Sequence, residues 1–245
     1  MILDGSSLAL IALMGAIAGA MNAAVGAGTF LTYPTLVAMG LPPVMANGTN
    51  TAALSFGAFS SAWSYRRELR DRLVQLRPAL ISGFVGALAG SLLVIALDPA
   101  VFEAVVPWLI LLGTAAVAVQ PLVRNIRKRE GRRLWPWTGL ISIYGGYFGA
   151  GQGVMLMAAL LWVYDADVQR SNAAKNLVGA IANATAALVF IAYAEINWWA
   201  FAVMAPAAIA GGYFGGTWAR RLPGVWLRGM VVAVGLAVGL VMLLW

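Results

Sequence analysis

Eight apolar stretches, each long enough to cross a bilayer as a helix, constrain this chain more than anything else in it. They run Ser7–Gly40, Pro43–Tyr65, Pro78–Leu97, Val101–Val123, Trp135–Tyr164, Val168–Ala194, Trp198–Ala219 and Gly224–Trp245. A hydrocarbon core of roughly 30 Å takes about 20 helical residues to span. Backbone in lipid must satisfy its own hydrogen bonds, which leaves helices or closed barrels. Barrel strands alternate apolar and polar residues over about ten positions, whereas these runs are continuously apolar, so helices are expected. Only 10% of the residues are charged, against roughly a quarter in soluble domains. The start, Met1-Ile2-Leu3-Asp4, has no basic region before the first stretch, so a cleaved secretory signal is not expected.

Two stretches differ from the rest. Ser7–Gly40 and Trp135–Tyr164 are long and are interrupted by glycines, at Val25-Gly26-Ala27-Gly28 and at Gly145-Gly146-Tyr147-Phe148-Gly149-Ala150-Gly151-Gln152-Gly153. Each is followed by a stretch rich in Asn and small residues and then by two plain spans, so the order of features repeats. The expected architecture is an all-α polytopic membrane protein of two four-segment repeats, 1–123 and 135–245, joined by a basic linker at 124–134. The first segment of each repeat is broken or re-entrant at its glycines. Of the 16 basic residues, Arg66, Arg67, Arg70, Arg72 and Arg77 fall in one loop, and Arg124, Arg127, Lys128, Arg129, Arg132 and Arg133 in another. The positive-inside rule makes both loops cytoplasmic. If Trp135–Tyr164 enters, turns at the glycines and returns, Arg170, Arg220, Arg221 and Arg228 also fall inside. The two repeats are then inverted relative to each other, an arrangement typical of secondary transporters.

The residue inventory removes several chemistries. With no Cys and no His there is no thiolate or imidazole for nucleophilic catalysis or metal binding, and no enzyme is expected. All nine acids, Asp4, Glu68, Asp71, Asp98, Glu103, Glu130, Asp165, Asp167 and Glu195, lie in loops or at segment ends. That leaves no carboxylate relay at mid-membrane and none to repel an anion.

What remains inside the spans is neutral and donor-rich. A glycine break in mid-membrane frees backbone N–H groups at a half-helix N-terminus, where an anion can bind. Gly26, Gly28 and Thr29 stand at the first break, and Gly149, Gly151, Gln152 and Gly153 at the second. On the polar stretch after the first break, Asn47, Asn50, Thr51 and Ser55 share one helix face; on the other, Asn172, Lys175, Asn176 and Asn183 share one. Hydrogen bonding between helices accounts for any single one of these amides. Their convergence with two broken backbones predicts an anion-coordinating cavity. Lys175 has two readings, a ligand in that cavity or a side chain whose stem snorkels to the surface. Trp135, Trp137, Trp198, Trp199, Trp218, Trp226 and Trp245 sit at segment ends, as an interfacial aromatic belt requires.

These residues carry a family resemblance. Gly26-Ala27-Gly28 with Pro34 after it, then Ala46-Asn47-Gly48-Thr49-Asn50-Thr51 running through Ser55, Ser60 and Ser61 to Ser64-Tyr65-Arg66, resembles the first half-repeat of the TauE/SafE sulfite exporter family. Gly149-Ala150-Gly151-Gln152-Gly153, Ser171-Asn172-Ala173-Ala174-Lys175-Asn176 and Asn183 to Phe190 resemble its second. The chain departs from the family pattern at Thr51, where a lysine is common, and at Met157, where a proline is expected. The resemblance implies a bacterial inner-membrane exporter of sulfur-containing anions such as sulfite or organosulfonates, working by alternating access. An anion channel or a non-transporting membrane subunit is the alternative. The expected partners are a small anionic substrate, the lipid bilayer and a second copy if the protein is a homodimer. No cofactor, metal or nucleic acid is called for.

Overall fold

A computed structural model describes residues 4–124, 133–165, 167–218 and 224–244, and every regular element in them is a helix. In order these are α1 (Gly5–Ala24), α2 (Thr29–Ala38), α3 (Pro43–Ser64), the single turn α4 (Arg66–Leu69), α5 (Leu73–Ala96), α6 (Pro99–Arg124), α7 (Trp135–Tyr147), α8 (Gln152–Val163), α9 (Val168–Tyr193), α10 (Trp198–Trp218) and α11 (Gly224–Leu244). Five of them are long and apolar enough to cross a membrane: Gly5–Ala24, Leu73–Ala96, Pro99–Val119, Val168–Tyr193 and Trp198–Thr217. The basic linker, apart from its two ends, and the Arg220–Arg221 pair lie outside the described residues, as does Glu130.

The helices start and stop where local chemistry asks. Asp4 caps α1, its Oδ1 accepting from Ser7 N at 2.9 Å, and Asp167 caps α9 by accepting from Arg170 N at 2.8 Å. Each bond satisfies a donor that the first turn leaves unpaired. α5 begins at Leu73 rather than at Pro78, so Arg77 is a helical residue. Leu73 to Leu76 already continue the apolar pattern, and a proline one turn in breaks no long ladder.

Both glycine-rich stretches are broken helices, and they break in the same way. At the end of α1, Val25 N and Gly26 N both donate to Met21 O, at 2.7 and 2.9 Å. At the end of α7, Phe148 N and Gly149 N both donate to Tyr144 O, at 2.9 and 3.2 Å. Gly26 and Gly149 then take φ of +82° and +83°, a left-handed conformation that side chains resist, and the chain leaves the helix axis. After the second break α8 turns back along α7: Trp137 in the first turn of α7 and Trp162 in the last turn of α8 meet edge to face at 5.3 Å.

α3 and α9 pack on each other at the centre. α1 lies along α10 and α7 along α5, α3 also touches α10 and α9 touches α5, and α6 pairs with α11. The α1–α10 and α5–α7 contacts are close because glycines face backbone across them, Gly19 against Ala208 O and Gly90 against Ile143 O, as in tight membrane helix pairs. The main apolar core gathers Phe30, Tyr33 and Leu36 of α2 with Phe102, Phe148 and Phe190. Phe56, Trp63, Ile81, Phe84, Trp108, Leu188 and Phe214 point outward and are exposed, the surface lipid covers. Trp135, Trp137, Trp198 and Trp199 are exposed at helix starts, while the side chains of Trp218, Trp226 and Trp245 are outside the description.

Candidate functional site

The two breaks meet. A Cβ built on Gly26 would stand 2.4 Å from Gly153 Cα, and one built on Gly153 would stand 2.4 Å from Gly26 Cα. No side chain fits between them. Around this contact lies a cavity of about 40 Å3, room for a few waters. The first half lines it with Asn22, Gly26, Thr29, Asn50, Thr51, Leu54 and Ala58; the second with Gly145, Phe148, Gly149, Gln152, Gly153, Lys175, Asn176, Gly179 and Asn183.

Lys175 is 2% exposed and points inward. Its Nζ donates to Asn22 O at 3.0 Å and Ala23 O at 3.2 Å, the orphaned carbonyls where α1 ends. Asn172 and Asn176 add Nδ2 bonds to Ala23 O, each at 3.3 Å. A cation at a helix C-terminus meets both the unpaired carbonyls and the negative end of the dipole. The ammonium therefore turns into the protein and does not snorkel to the surface. At the other break, Asn47 Nδ2 donates to Tyr147 O at 3.1 Å. Each broken helix is thus capped at its carbonyl end by an asparagine from the opposite half.

The N-terminal sides of the breaks are arranged differently. Gly28 N, entering α2, donates to Asn22 Oδ1 at 2.7 Å. Thr32 Oγ1 donates to Asn50 Oδ1, and Asn50 Nδ2 lies 3.4 Å from Thr29 Oγ1. The first break therefore carries an internal polar network. At the second, Gly151 takes φ +79° and α8 begins with Gln152, which is 4% exposed and whose Nε2 has no partner. The amide lies folded over Gly145, where a Cβ would come within 2.1 Å of Gln152 Cδ.

Of the residues expected at the site, Gly26, Thr29, Asn50, Thr51, Gly149, Gln152, Gly153, Lys175, Asn176 and Asn183 line the cavity. The others stand beside it. Gly28 is held by Asn22, Asn47 by Tyr147, and Asn172 by Ala23 and by the Tyr65 hydroxyl at 2.9 Å. Ser55 Oγ donates to Ala52 O at 2.7 Å, and Gly151 backs onto Gly113. These side chains answer backbone or hydroxyl groups that apolar surroundings would otherwise leave unpaired. Asn22 enters the cavity without having been singled out, although it carried a signal, a lone amide in an otherwise apolar span. Gly145 and Phe148 belong to the second glycine run and line the cavity without having been named as site residues.

No carboxylate among the described residues lines the cavity. Asp165, between α8 and α9, accepts from Arg72 at 3.4 Å and lies 3.6 Å from Arg170.

The sulfite exporter TauE/SafE family matches residues 11–242. A probable membrane transporter protein of Haemophilus influenzae is 29% identical over 235 residues, covering 92% of this chain and 90% of its own. The probable membrane transporter protein ORF9 of a Sinorhizobium species is 24% identical over 230 residues, with 91% and 87% covered. The Escherichia coli probable membrane transporter protein YfcA is 26% identical over 187 residues, with 74% and 69% covered. No solved structure matches the chain significantly. A family match over nearly the whole length, on a bundle with five helices able to span a bilayer, makes this a multi-pass membrane protein of a transporter family and not an enzyme. The chain belongs to the sulfite exporter TauE/SafE family.

Proposed function

We propose that this protein is a secondary carrier that exports small sulfur-containing oxyanions, such as sulfite or organosulfonates, by alternating access. One observation carries the reading. Two broken helices lie back to back at Gly26 and Gly153 over a cavity whose described lining holds a lysine and many amides and no acid. Broken backbone at membrane depth is tolerated where it is buried or lines a cavity, and half-helix N-termini there favour anions. The family description names sulfite export, which supports the sulfur oxyanion over other anions.

The two four-segment halves act as inverted repeats in this reading. The packing supports it: α1 on α10 is answered by α7 on α5, and α3 and α9, like α6 and α11, pair with their own counterparts. The cross-capping by Asn47 and Asn172 follows the same exchange. The loop from Arg66 to Arg72 and the basic linker face the cytoplasm of a bacterial inner membrane, and α8 returns to that face. Rocking one half against the other about the central contact opens the cavity alternately to each side.

The reading is tested in proteoliposomes loaded with labelled sulfite. Saturable efflux with counterflow is expected, and a channel gives no counterflow. Asn50→Leu and Asn176→Leu, which place an alkyl group on the cavity wall, should lose transport while melting close to the parent protein. Full activity in both variants, or transport of a cation or neutral solute instead, rejects the proposal.

A further inference from the structure

We propose that this protein carries a binding site for one anionic phospholipid at the seam between its two halves, its phosphate held by Arg66 and Arg70 and an acyl chain lying in the apolar groove that these arginines flank. The groove is an open cleft of about 250 Å3. Phe59 and Trp63 of α3, Leu69 of α4, Leu73 of α5 and Leu177 of α9 line it, together with both arginines.

Its two ends differ in the order a lipid requires. Arg66 and Arg70 follow the last residue of α3, and the bond from Asn172 to the Tyr65 hydroxyl sets the start of α9 beside that end. Phe59 lies seven residues back along α3 from Arg66, and Leu177 seven residues beyond Arg170 in the first turn of α9. At 1.5 Å per residue, each is about 10 Å deeper than its helix end. Phe59, Trp63 and Leu73 are exposed, so the groove opens on the surface that acyl chains cover. It runs from charge at the helix ends to hydrocarbon below.

The arginines are set up for a phosphate. They stand four residues apart, and Arg70 continues the helical turn of α4, which puts both on one side. The Arg66 guanidinium lies 5.3 Å over the Trp63 ring, and its Nη1 donates to Trp63 O at 3.1 Å. Its planar fork has further donors for phosphate oxygens. Arg70 is exposed and makes no ion pair with a described residue. Arg72, by contrast, is paired with Asp165 and lies off the groove, as do Glu68 and Asp71. The positive-inside rule asks for basic residues in this loop, but it does not ask that two of them flank an apolar groove.

Leu177 belongs to the second half, and every other residue of the groove to the first. A chain seated there packs on both halves, and a ligand of the folded state stabilises it. A second copy of the protein fits the groove less well, because a twofold partner brings the same arginines to the same patch.

The test adds dioleoyl phosphatidylglycerol or dioleoyl phosphatidylcholine, which share their tails and differ in head charge, to the purified full chain in detergent. Native mass spectrometry counts retained lipid, and melting reports stability. Phosphatidylglycerol should be retained at one per chain and raise the melting temperature, with phosphatidylcholine at least about tenfold weaker. Replacing Arg66→Gln and Arg70→Gln together should weaken phosphatidylglycerol by about tenfold or more, since each basic residue near anionic lipid counts for about fivefold. Arg77→Gln with Arg133→Gln removes the same charge outside the groove and should change nothing. Equal loss from both pairs, or equal retention of the two lipids by the parent protein, overturns the proposal. Glycerol 3-phosphate, a headgroup without tails, should not displace the lipid; displacement at equal concentration would mean that the groove plays no part. Leu73→Cys, labelled after folding with a bulky maleimide, should lose retention, and the chain has no other cysteine. Full retention by the labelled protein overturns the site, and this arm decides even if the arginine variant does not fold. A dimer that shields Leu73→Cys from the label and retains no lipid would give the groove to a second copy instead. None of these readouts uses transport, so the site stands or falls apart from the carrier reading.

Discussion

A single methyl group decides whether the two helix breaks can meet. Gly153 lies in the first turn of α8, and its missing side chain is what lets Gly26 Cα approach. Gly153→Ala puts a Cβ 2.4 Å from that atom, backbone against backbone, so no side chain can swing aside. The expected result is a loss of about 1–3 kcal/mol in stability, typical of overpacking, seen as a lower melting temperature together with lost sulfite transport. Gly179→Ala is the matched control. It too lines the cavity, but nothing lies within 4 Å of its Cβ position, and alanine favours a helix interior by up to about 1 kcal/mol. Its melting temperature should stay level or rise; a large drop would show that the steric argument misplaces the tight contact. Lys175 makes the same point about direction. Its place on a polar helix face could be read from spacing, but whether its ammonium turned outward or inward depended on two carbonyls at the far end of α1.

At the level of elements, the fold rests on helices that touch through their backbones. On the α5–α7 contact a Cβ at Gly90 would stand 2.0 Å from Ile143 O, and one at Gly146 would stand 2.2 Å from Ala87 O. Gly90→Ala should push the pair apart and destabilise the protein by about 1–3 kcal/mol, measured as a melting shift in detergent; an unchanged melt would mean the helices can slide to absorb it. The second broken helix makes a separate prediction. Trp137 against Trp162 brings the start of α7 beside the end of α8, so residues flanking the pair share one membrane face. The chain has no cysteine of its own, which makes single-cysteine labelling clean. Arg133→Cys and Val168→Cys should react with an impermeant thiol reagent from the same side. Labelling from opposite sides would mean that the segment crosses.

The whole molecule adds sidedness and exchange between halves. Arg66 to Arg72 lie at one end of α3, while Leu97 follows α5 at the other. The proposed orientation expects Arg67→Cys to be shielded from an impermeant reagent in intact cells and Leu97→Cys to be reactive; the reverse pattern would invert the protein and turn export into import at the same site. The exchange between halves is visible in the capping bonds. Asn47 reaches Tyr147, and Asn172 reaches Ala23, so neither break keeps its carbonyl end satisfied without the other half. A half expressed alone would leave those carbonyls open in lipid, where each is costly.

The helical membrane class, the placement of the apolar stretches, both glycine breaks and the polar faces were legible in the sequence, because length, hydropathy and helical spacing are properties of neighbouring residues. The start of α5 was misjudged by one turn for the same local reason, since Pro78 marks a helix start more strongly than it excludes an earlier one. The tertiary structure alone decided the rest. It brought Gly26 onto Gly153, turned α8 back along α7, and drew Asn22 and Phe148 into the cavity. It also gave Asn47, Ser55 and Asn172 to hydrogen bonds beside the site and left Gln152 open within it. An amide on a helix face has the same spacing whether it meets a ligand or a carbonyl. Which one it meets is set by partners such as Tyr147, 100 residues from Asn47, and Asn22, 153 residues from Lys175, and separations of that length leave no mark on local pattern.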